Sequence, residues 1–463
     1  MVFSSLLFLF WFIPIFFAVY YICPAQWRNA VLFTGSIIFY AWGEPAYLLL
    51  IFISILVNYL AGLGFFRSAP GRDHTLSEKI IFTAAMVFDF GMLFVFKYTG
   101  FFVSNINGIF GTNIPDPHLT LPLGISFYTF QIASYVIDLY RGKIKTEKNI
   151  LTLGTYLVMF PQLIAGPIVV YSQVSDRLHE RHITPEKVSE GITTFIIGLS
   201  SKVLIANTVG ALWNDLEGIG YDRISMPLAW LGVVAFTLQI YFDFNGYSLM
   251  AIGLGQMLGF DIPRNFNNPY VSTTLTEFWR RWHMTLSGWF REYVYIPLGG
   301  NRKGKARTYV NLFIVWFLTG FWHGAGWNFI CWGLFFFVFL SLEKSFLADF
   351  LAKHKIVSRV YALLFIGLSW MIFAITDFTQ LGVYMTRLVS LESLRKCTDV
   401  LYYLRNYGVV IALGCLFSTP LMSRYFERIR KRPAGILVQV VLLFVCVCFL
   451  ADASYNPFLY FRF

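Results

Sequence analysis

The sequence predicts an all-α polytopic integral membrane protein, with about 11 to 13 transmembrane helices plus re-entrant and interfacial helices around a central cavity. Composition is the first reason: of 463 residues, 57% are hydrophobic and only 13% charged, and mean hydropathy is +0.62. Distribution is the second. Apolar segments recur from Phe3 to Leu450 with no long polar block among them, which predicts one membrane domain over residues 1–463 and no appended soluble catalytic domain. The third is a break in the apolar run Tyr309 to Leu342. The run Tyr309 to Phe321, at about 1.5 Å per residue, spans about 20 Å of a hydrocarbon core of about 30 Å. The following Trp322-His323-Gly324-Ala325-Gly326-Trp327 is therefore expected at membrane depth, where broken backbone must be enclosed by protein or line a wet cavity.

The formal net charge is +11, but the basic residues fall mostly in short loops between apolar segments, where they set orientation. Nucleic-acid binding is not expected. Six cysteines, Cys23, Cys331, Cys397, Cys415, Cys446 and Cys448, are mostly inside apolar runs and show neither metal nor disulfide spacing. Of seven histidines, neither His179 with His182 nor any other pair shows the ligand pattern of a zinc site, so no metal is expected. The opening run MVFSSLLFLFWFIPIFFAVYY has no basic start and no small-residue cleavage site, and is expected to be a retained first helix.

Taken in order, apolar segments near Phe3 to Ile22, Ala30 to Trp42 and Tyr47 to Phe65 are separated by a loop with Arg28 and a Gly43-Glu44-Pro45 turn. A loop with Arg67, Arg72 and Lys79 precedes the segment Ile80 to Lys97. Tyr98 to Leu121 has no Lys or Arg, whereas the loop after Ile137 has Arg141, Lys143, Lys145 and Lys148. The positive-inside rule then puts the basic loops in the cytoplasm and Tyr98 to Leu121 outside. Leu151 to Val170 is broken by Pro161 and Gly166-Pro167, which predicts a re-entrant segment, followed by a charged surface helix over Gln173 to Glu190. Gln239 to Phe260 places Asp243 and Asn245 in apolar surroundings, ahead of Gly253, Gly255 and Gly259, whose small size suits close helix packing in lipid. Asp243 is expected either to cap a helix starting near Gly246 or to form a polar wall of a cavity.

Asp261 to Arg307 is the most basic stretch, with Arg264, Arg280, Arg281, Arg291, Arg302, Lys303, Lys305 and Arg307, and is expected on the cytoplasmic side. Within it Trp279, Trp282, Leu286 and Trp289 recur at helical spacing, predicting an amphipathic interfacial helix. His283 follows Trp279 by four positions and borders this aromatic stripe. Segments near Val357 to Ile375, Val409 to Leu416 and Ile436 to Leu450 complete the chain. Arg424, Arg428, Arg430, Lys431 and Arg432 hold the last loop inside, leaving Asn456 to Phe463 outside.

An imidazole at membrane depth is costly and points to function, although a satisfied structural histidine is the competing reading for His323. Desolvation favours the neutral ring, as a general base toward a hydroxyl requires.

FWRRWHMTLSGWFREYVYIPLGGNRKG from Phe278 and WHGAGWNFICWG from Trp322 together resemble the membrane-bound O-acyltransferases, in particular the bacterial branch that serves alginate O-acetylation. PLGISFYTFQIASYVIDLYRG from Pro122, FPQLIAGPIV from Phe160, YFDFNGYSLMAIG from Tyr241 and the terminal PFLYFRF extend the resemblance over nearly the whole chain. Relatives commonly have DFSGYSDMAIG where this chain carries Asn245 and Leu249, so no polar role is expected of Leu249. The resemblance implies that His323 falls on the family's catalytic histidine and His283 on a second active-site position. It implies an acyl donor, acetyl-coenzyme A, arriving from the cytoplasm, with Arg280 and Arg281 docking it. It also implies His283 holding the donor carbonyl or tetrahedral intermediate, and Trp282, Asn328 and Asp243 shaping the cavity. The expected activity is O-acetylation of an extracytoplasmic polysaccharide from the bacterial inner membrane, with a separate extracytoplasmic acetyltransferase as partner. A D-alanyl transferase using a carrier protein is the near alternative. A transporter or flippase is the distant one, disfavoured because no internal repeat is visible.

Overall fold

The computed structural model describes residues 1–65, 71–395, 398–452 and 459. Arg67, Cys397 and most of the terminal stretch from Asn456 lie outside them. The chain forms two compact units, one of Met1–Phe195 with Met250–Pro263 and one of Ile196–Leu249 with Arg264–Phe463.

The first unit is built from α1 (Ile13–Ile22), α2 (Arg28–Ala41), α3 (Leu48–Gly64), α4 (Leu76–Phe110), α5 (Ile125–Tyr140), α6 (Ile150–Val158), α7 (Phe160–Leu163), α8 (Tyr171–His179) and the start of α9 (Pro185–Ser200). The stretch expected to be re-entrant is irregular where Pro161 and Gly166-Pro167 predict it, and every residue from 152 to 169 is buried. Its polar groups are met locally: Ser36 Oγ accepts from Phe160 N at 3.1 Å, and Tyr156 Oη donates to the Val169 carbonyl at 2.9 Å. That is the condition for irregular backbone at membrane depth. Gly124, at φ +77°, starts α5, and a Cβ there would lie 2.5 Å from the Leu163 carbonyl oxygen. The charged segment expected as one helix is α8 followed by the first turns of α9, with Glu180 to Thr184 between them. Lys187 Nζ holds both carboxylate oxygens of Asp261 at 2.8 and 2.9 Å.

The second unit continues through α10 (Asn207–Ile219), α11 (Met226–Leu258), α12 (Leu275–Trp279), α13 (Met284–Phe290), α14 (Lys305–His323), α15 (Trp327–Leu342), α16 (Ala348–Lys353), α17 (Lys355–Ala374), α18 (Phe378–Arg387), α19 (Thr398–Phe417), α20 (Pro420–Ile429) and α21 (Pro433–Asp452). Helix α11 enters the first unit at Met250. Among the described residues eight helices are long and apolar enough to cross a membrane. The expected 11 to 13 also counted shorter apolar pieces such as α2, α5 and the run Phe8–Ile22.

Three local expectations change. Helix α11 is continuous through Asp243, so Asp243 caps nothing. The stripe Trp279, Trp282, Leu286, Trp289 is buried throughout, yet it does not lie on one helix: α12 stops at Trp279 and His283 takes φ +43° before α13 begins. A left-handed residue cannot continue a right-handed helix. Finally, α14 starts at Lys305, not Tyr309. At 19 residues it is about 28 Å long, because Lys, Ala and Arg are good helix formers and carry the helix beyond its apolar run.

Candidate active site

His323 is the last residue of α14, and the chain breaks at Gly324 before α15 begins at Trp327. The break is enforced by packing. Gly324 and Gly326 have φ of −166° and −158°, angles any residue adopts, so they are glycines for room. A Cβ on Gly324 would meet the Phe329 ring at 2.1 Å, and one on Gly326 would meet Asn328 Oδ1 at 2.6 Å. What comes close at these glycines is thus the chain's own α15. Further along, α14 and α15 touch backbone to backbone: a Cβ on Gly320 would lie 2.3 Å from the Phe329 carbonyl oxygen, and one on Gly333 2.3 Å from that of Trp316.

The His323 imidazole is buried and walled by aromatic rings, with Trp332 edge-on at 4.9 Å between centroids and Phe373 at 5.4 Å. Asn328 Nδ2 donates to the Phe373 carbonyl at 3.1 Å. It satisfies one of the carbonyls left unpaired at the C-terminus of α17 and so ties the Phe373 wall to the hairpin.

His283 belongs to the same aromatic cluster. Its ring centroid is 4.7 Å from Phe244 and 6.2 Å from Trp322, whose ring is 5.0 Å from His323, so one indole separates the two imidazoles. The left-handed backbone at His283 turns its ring inward, and it is fully buried. Burial holds its imidazole well below its ordinary pKa, in the neutral form. His283 Nδ1 lies 3.1 Å from Asn265 Oδ1. That oxygen also accepts from Thr285 N and Thr285 Oγ1 at 3.3 and 2.9 Å, which identifies it as the amide's acceptor end. The proton therefore sits on Nδ1, and Nε2, buried with no hydrogen-bond partner among the described residues, presents a lone pair. A neutral His283 in this tautomer accepts a hydrogen bond at Nε2; it cannot donate one to a carbonyl oxygen or an oxyanion.

Beside this cluster lies a cavity of about 770 Å³, between α12, α13 and the arms of the α14–α15 hairpin. Along α14 it is lined by Leu312, Val315, Trp316 and Thr319, so the lining residue nearest His323 on this helix, Thr319, is one helical turn, about 6 Å of rise, from it. Trp279 lines it and is 5.7 Å from Trp332, the ring that touches His323. Its charged lining is Arg280, Arg291, Lys344 and Glu343. Glu343 is buried and accepts from Leu275 N and Thr276 N at 2.6 and 2.9 Å, whereas the other three are exposed cations with no acidic partner among the described residues. The walls are apolar and the rim is cationic.

The remaining expected residues are placed differently. Arg281 is paired with Glu277 at 2.9 Å and donates to the Asn267 carbonyl; it is not among the cavity-lining residues. Trp282 is buried among Tyr241, Phe266, Phe278 and Trp370. Asp243 forms a buried ion pair with Lys202 at 2.6 Å, and its other oxygen accepts from Leu459 N at 2.9 Å. Sequence reasoning missed Asn265, Glu343, Trp332 and Lys202. Only Glu343 gave a signal, as a carboxylate closing a long apolar run.

Residues 143–386 match the model of MBOAT, the membrane-bound O-acyltransferase family. The chain is 37% identical to the probable alginate O-acetylase AlgI of Azotobacter vinelandii, with all of both chains covered. It is 33% identical to a peptidoglycan O-acetyltransferase of Helicobacter pylori, over 86% of this chain and 81% of that one. It is 28% identical to a teichoic acid D-alanyltransferase of Bacillus subtilis, over 54% of this chain and 69% of that one. With its multiple apolar helices and with histidine, cavity and break all inside the matched residues, the chain belongs to the membrane-bound O-acyltransferase family and is a multi-pass membrane O-acyltransferase.

Proposed function

We propose that the chain is an inner-membrane O-acetyltransferase that takes an acetyl group from cytoplasmic acetyl-coenzyme A for O-acetylation of an extracytoplasmic polysaccharide, directly or through an extracytoplasmic acetyltransferase partner. Alginate and peptidoglycan in the names of the similar proteins support a polysaccharide as final acceptor. Matches over the full length support one functional module across residues 1–463. The observation that carries the reading is the cavity with exposed cations in its lining, which along α14 extends to Thr319, one turn from His323. Phosphates suit the rim cations and an uncharged thioester arm suits the aromatic walls.

In this reading the acceptor hydroxyl gives its proton to the His323 imidazole as its oxygen attacks the thioester carbonyl carbon. The tetrahedral intermediate collapses with cleavage of the C–S bond, and the departing sulfur takes that proton from His323, so the base is regenerated. His283 contributes an acceptor at Nε2, fit to orient the incoming hydroxyl or an amide N–H of the donor. Asn328 and Trp282 shape the aromatic walls, while Asp243, through its ion pair, positions α11, and Arg281, through Glu277 and the Asn267 carbonyl, fixes the turn between α12 and α13.

Radiolabelled acetyl-coenzyme A should bind the detergent-purified protein saturably and be displaced by coenzyme A. Replacing Arg280 and Arg291 together by Gln should weaken binding about 100-fold or more, each lost charge-assisted contact being worth about 1.5–3 kcal/mol. The native protein's salt dependence should flatten in the double variant. Absence of saturable binding, or binding indifferent to the double substitution, would contradict the reading.

A further inference from the structure

Helix α12 has five residues, far fewer than the 12–15 or so at which an isolated helix becomes even marginal, yet it carries Trp279 and leads directly into Arg280, both lining the cavity. Something outside α12 must hold it. Its own turn supplies part: Thr274 Oγ1 accepts from Glu277 N at 3.0 Å, and Glu277 Oε2 accepts from Thr273 N at 2.9 Å. The rest comes from Glu343, the residue after α15. Its Oε1 accepts from Leu275 N at 2.6 Å, and its Oε2 from Thr276 N at 2.9 Å and Thr276 Oγ1 at 2.6 Å.

These are the first N–H groups of α12, which have no partner inside the helix, and a carboxylate there gains from both charge-assisted bonding and the helix dipole. Glu343 is 3% exposed, and its bond to Leu275 N is buried while those to the half-buried Thr276 lie at the cavity wall. It also directly follows α15, the helix that begins at the His323 break and is locked to α14 at Gly320 and Gly333. Through it, the arm bearing Trp279 and Arg280 is fixed to the hairpin bearing the catalytic imidazole.

We propose that Glu343 is a positioning residue of the donor site. It sets α12 so that Trp279 packs on Trp316 at 4.7 Å and Phe336 at 4.9 Å, and so that Arg280 faces the cavity rim. It also keeps its own negative charge bound to backbone N–H groups, away from the phosphates of an incoming donor. The inference rests on the donor assignment made above.

The test is saturation binding of radiolabelled acetyl-coenzyme A to the full chain, with Tm measured on the same preparations. Glu343→Gln keeps the shape, but its NH2 must face one of the N–H groups that the carboxylate accepted; binding should weaken about 10-fold, the worth of one such hydrogen bond. Thr276→Val removes the hydroxyl contact alone and should weaken binding by a smaller factor, which keeps the test open if the Gln variant does not fold. Adding Arg280→Gln to Glu343→Gln should weaken binding by less than the product of the two single effects, because Arg280 acts only when α12 is set. Lower Tm with native affinity in the folded fraction, or strictly multiplicative effects, would overturn the positioning role. If the native protein itself shows no saturable binding, the donor assignment fails instead, a result distinct from either.

Discussion

At the residue scale the informative pair is His283 with Asn265. The histidine was visible in the sequence because it borders an aromatic stripe and falls on a motif. Its chemistry was not visible, because the tautomer depends on Asn265, 18 positions earlier, brought close by the left-handed turn at His283 and by the backbone bonds from Met284 N to the Asn265 carbonyl and from Asn267 N to the Arg281 carbonyl. That partner turns the expected carbonyl holder into a hydrogen-bond acceptor. His283→Asn, whose Oδ1 can also accept, should keep most of the acetylation activity, whereas His283→Leu should lose about 10-fold or more. Asn265→Asp retains the acceptor and should resemble the native protein, while Asn265→Leu should resemble His283→Leu. Polymer-bound acetate per unit of folded membrane protein measures all four; full activity in either Leu variant would remove His283 Nε2 from the mechanism.

At the element scale the sequence exposed the break after His323 and the re-entrant stretch around Pro161, since glycine and proline interrupt apolar runs in both. It did not show why α14 and α15 lie so close, because Gly320 and Gly333 are 13 residues apart and each is explained only by the carbonyl it faces. Nor did it reveal the division at α12 and α13: periodicity marks which residues face inward, and all four of the stripe residues do, but it is blind to one left-handed residue between two short helices. The hairpin contact predicts that Gly333→Ala, whose Cβ would lie 2.3 Å from the Trp316 carbonyl oxygen, lowers Tm, with an overpacking penalty of about 1–3 kcal/mol. Gly408→Ala, in α19 with no atom within 4 Å of the added Cβ, should leave Tm unchanged or raise it slightly. Equal effects at the two sites would mean that the hairpin is not packed as described.

At the scale of the whole molecule, composition alone gives a polytopic membrane protein. The similarity to O-acetylases over the full chain gives the chemistry, and the cavity beside the His323 cluster is the donor site of the proposed function. The similar proteins are named for alginate, peptidoglycan and teichoic acid. In the proposed mechanism the step common to all of them is withdrawal of a proton from a hydroxyl by His323. The most direct measurement is polymer-bound acetate in cells carrying His323→Gln, set beside the native chain at equal membrane protein and equal Tm. Gln keeps the size and hydrogen-bonding atoms of the imidazole but is no base, so acetylation should fall about 100- to 10,000-fold; near-native acetylation by the stably folded Gln variant would contradict His323 as the catalytic base.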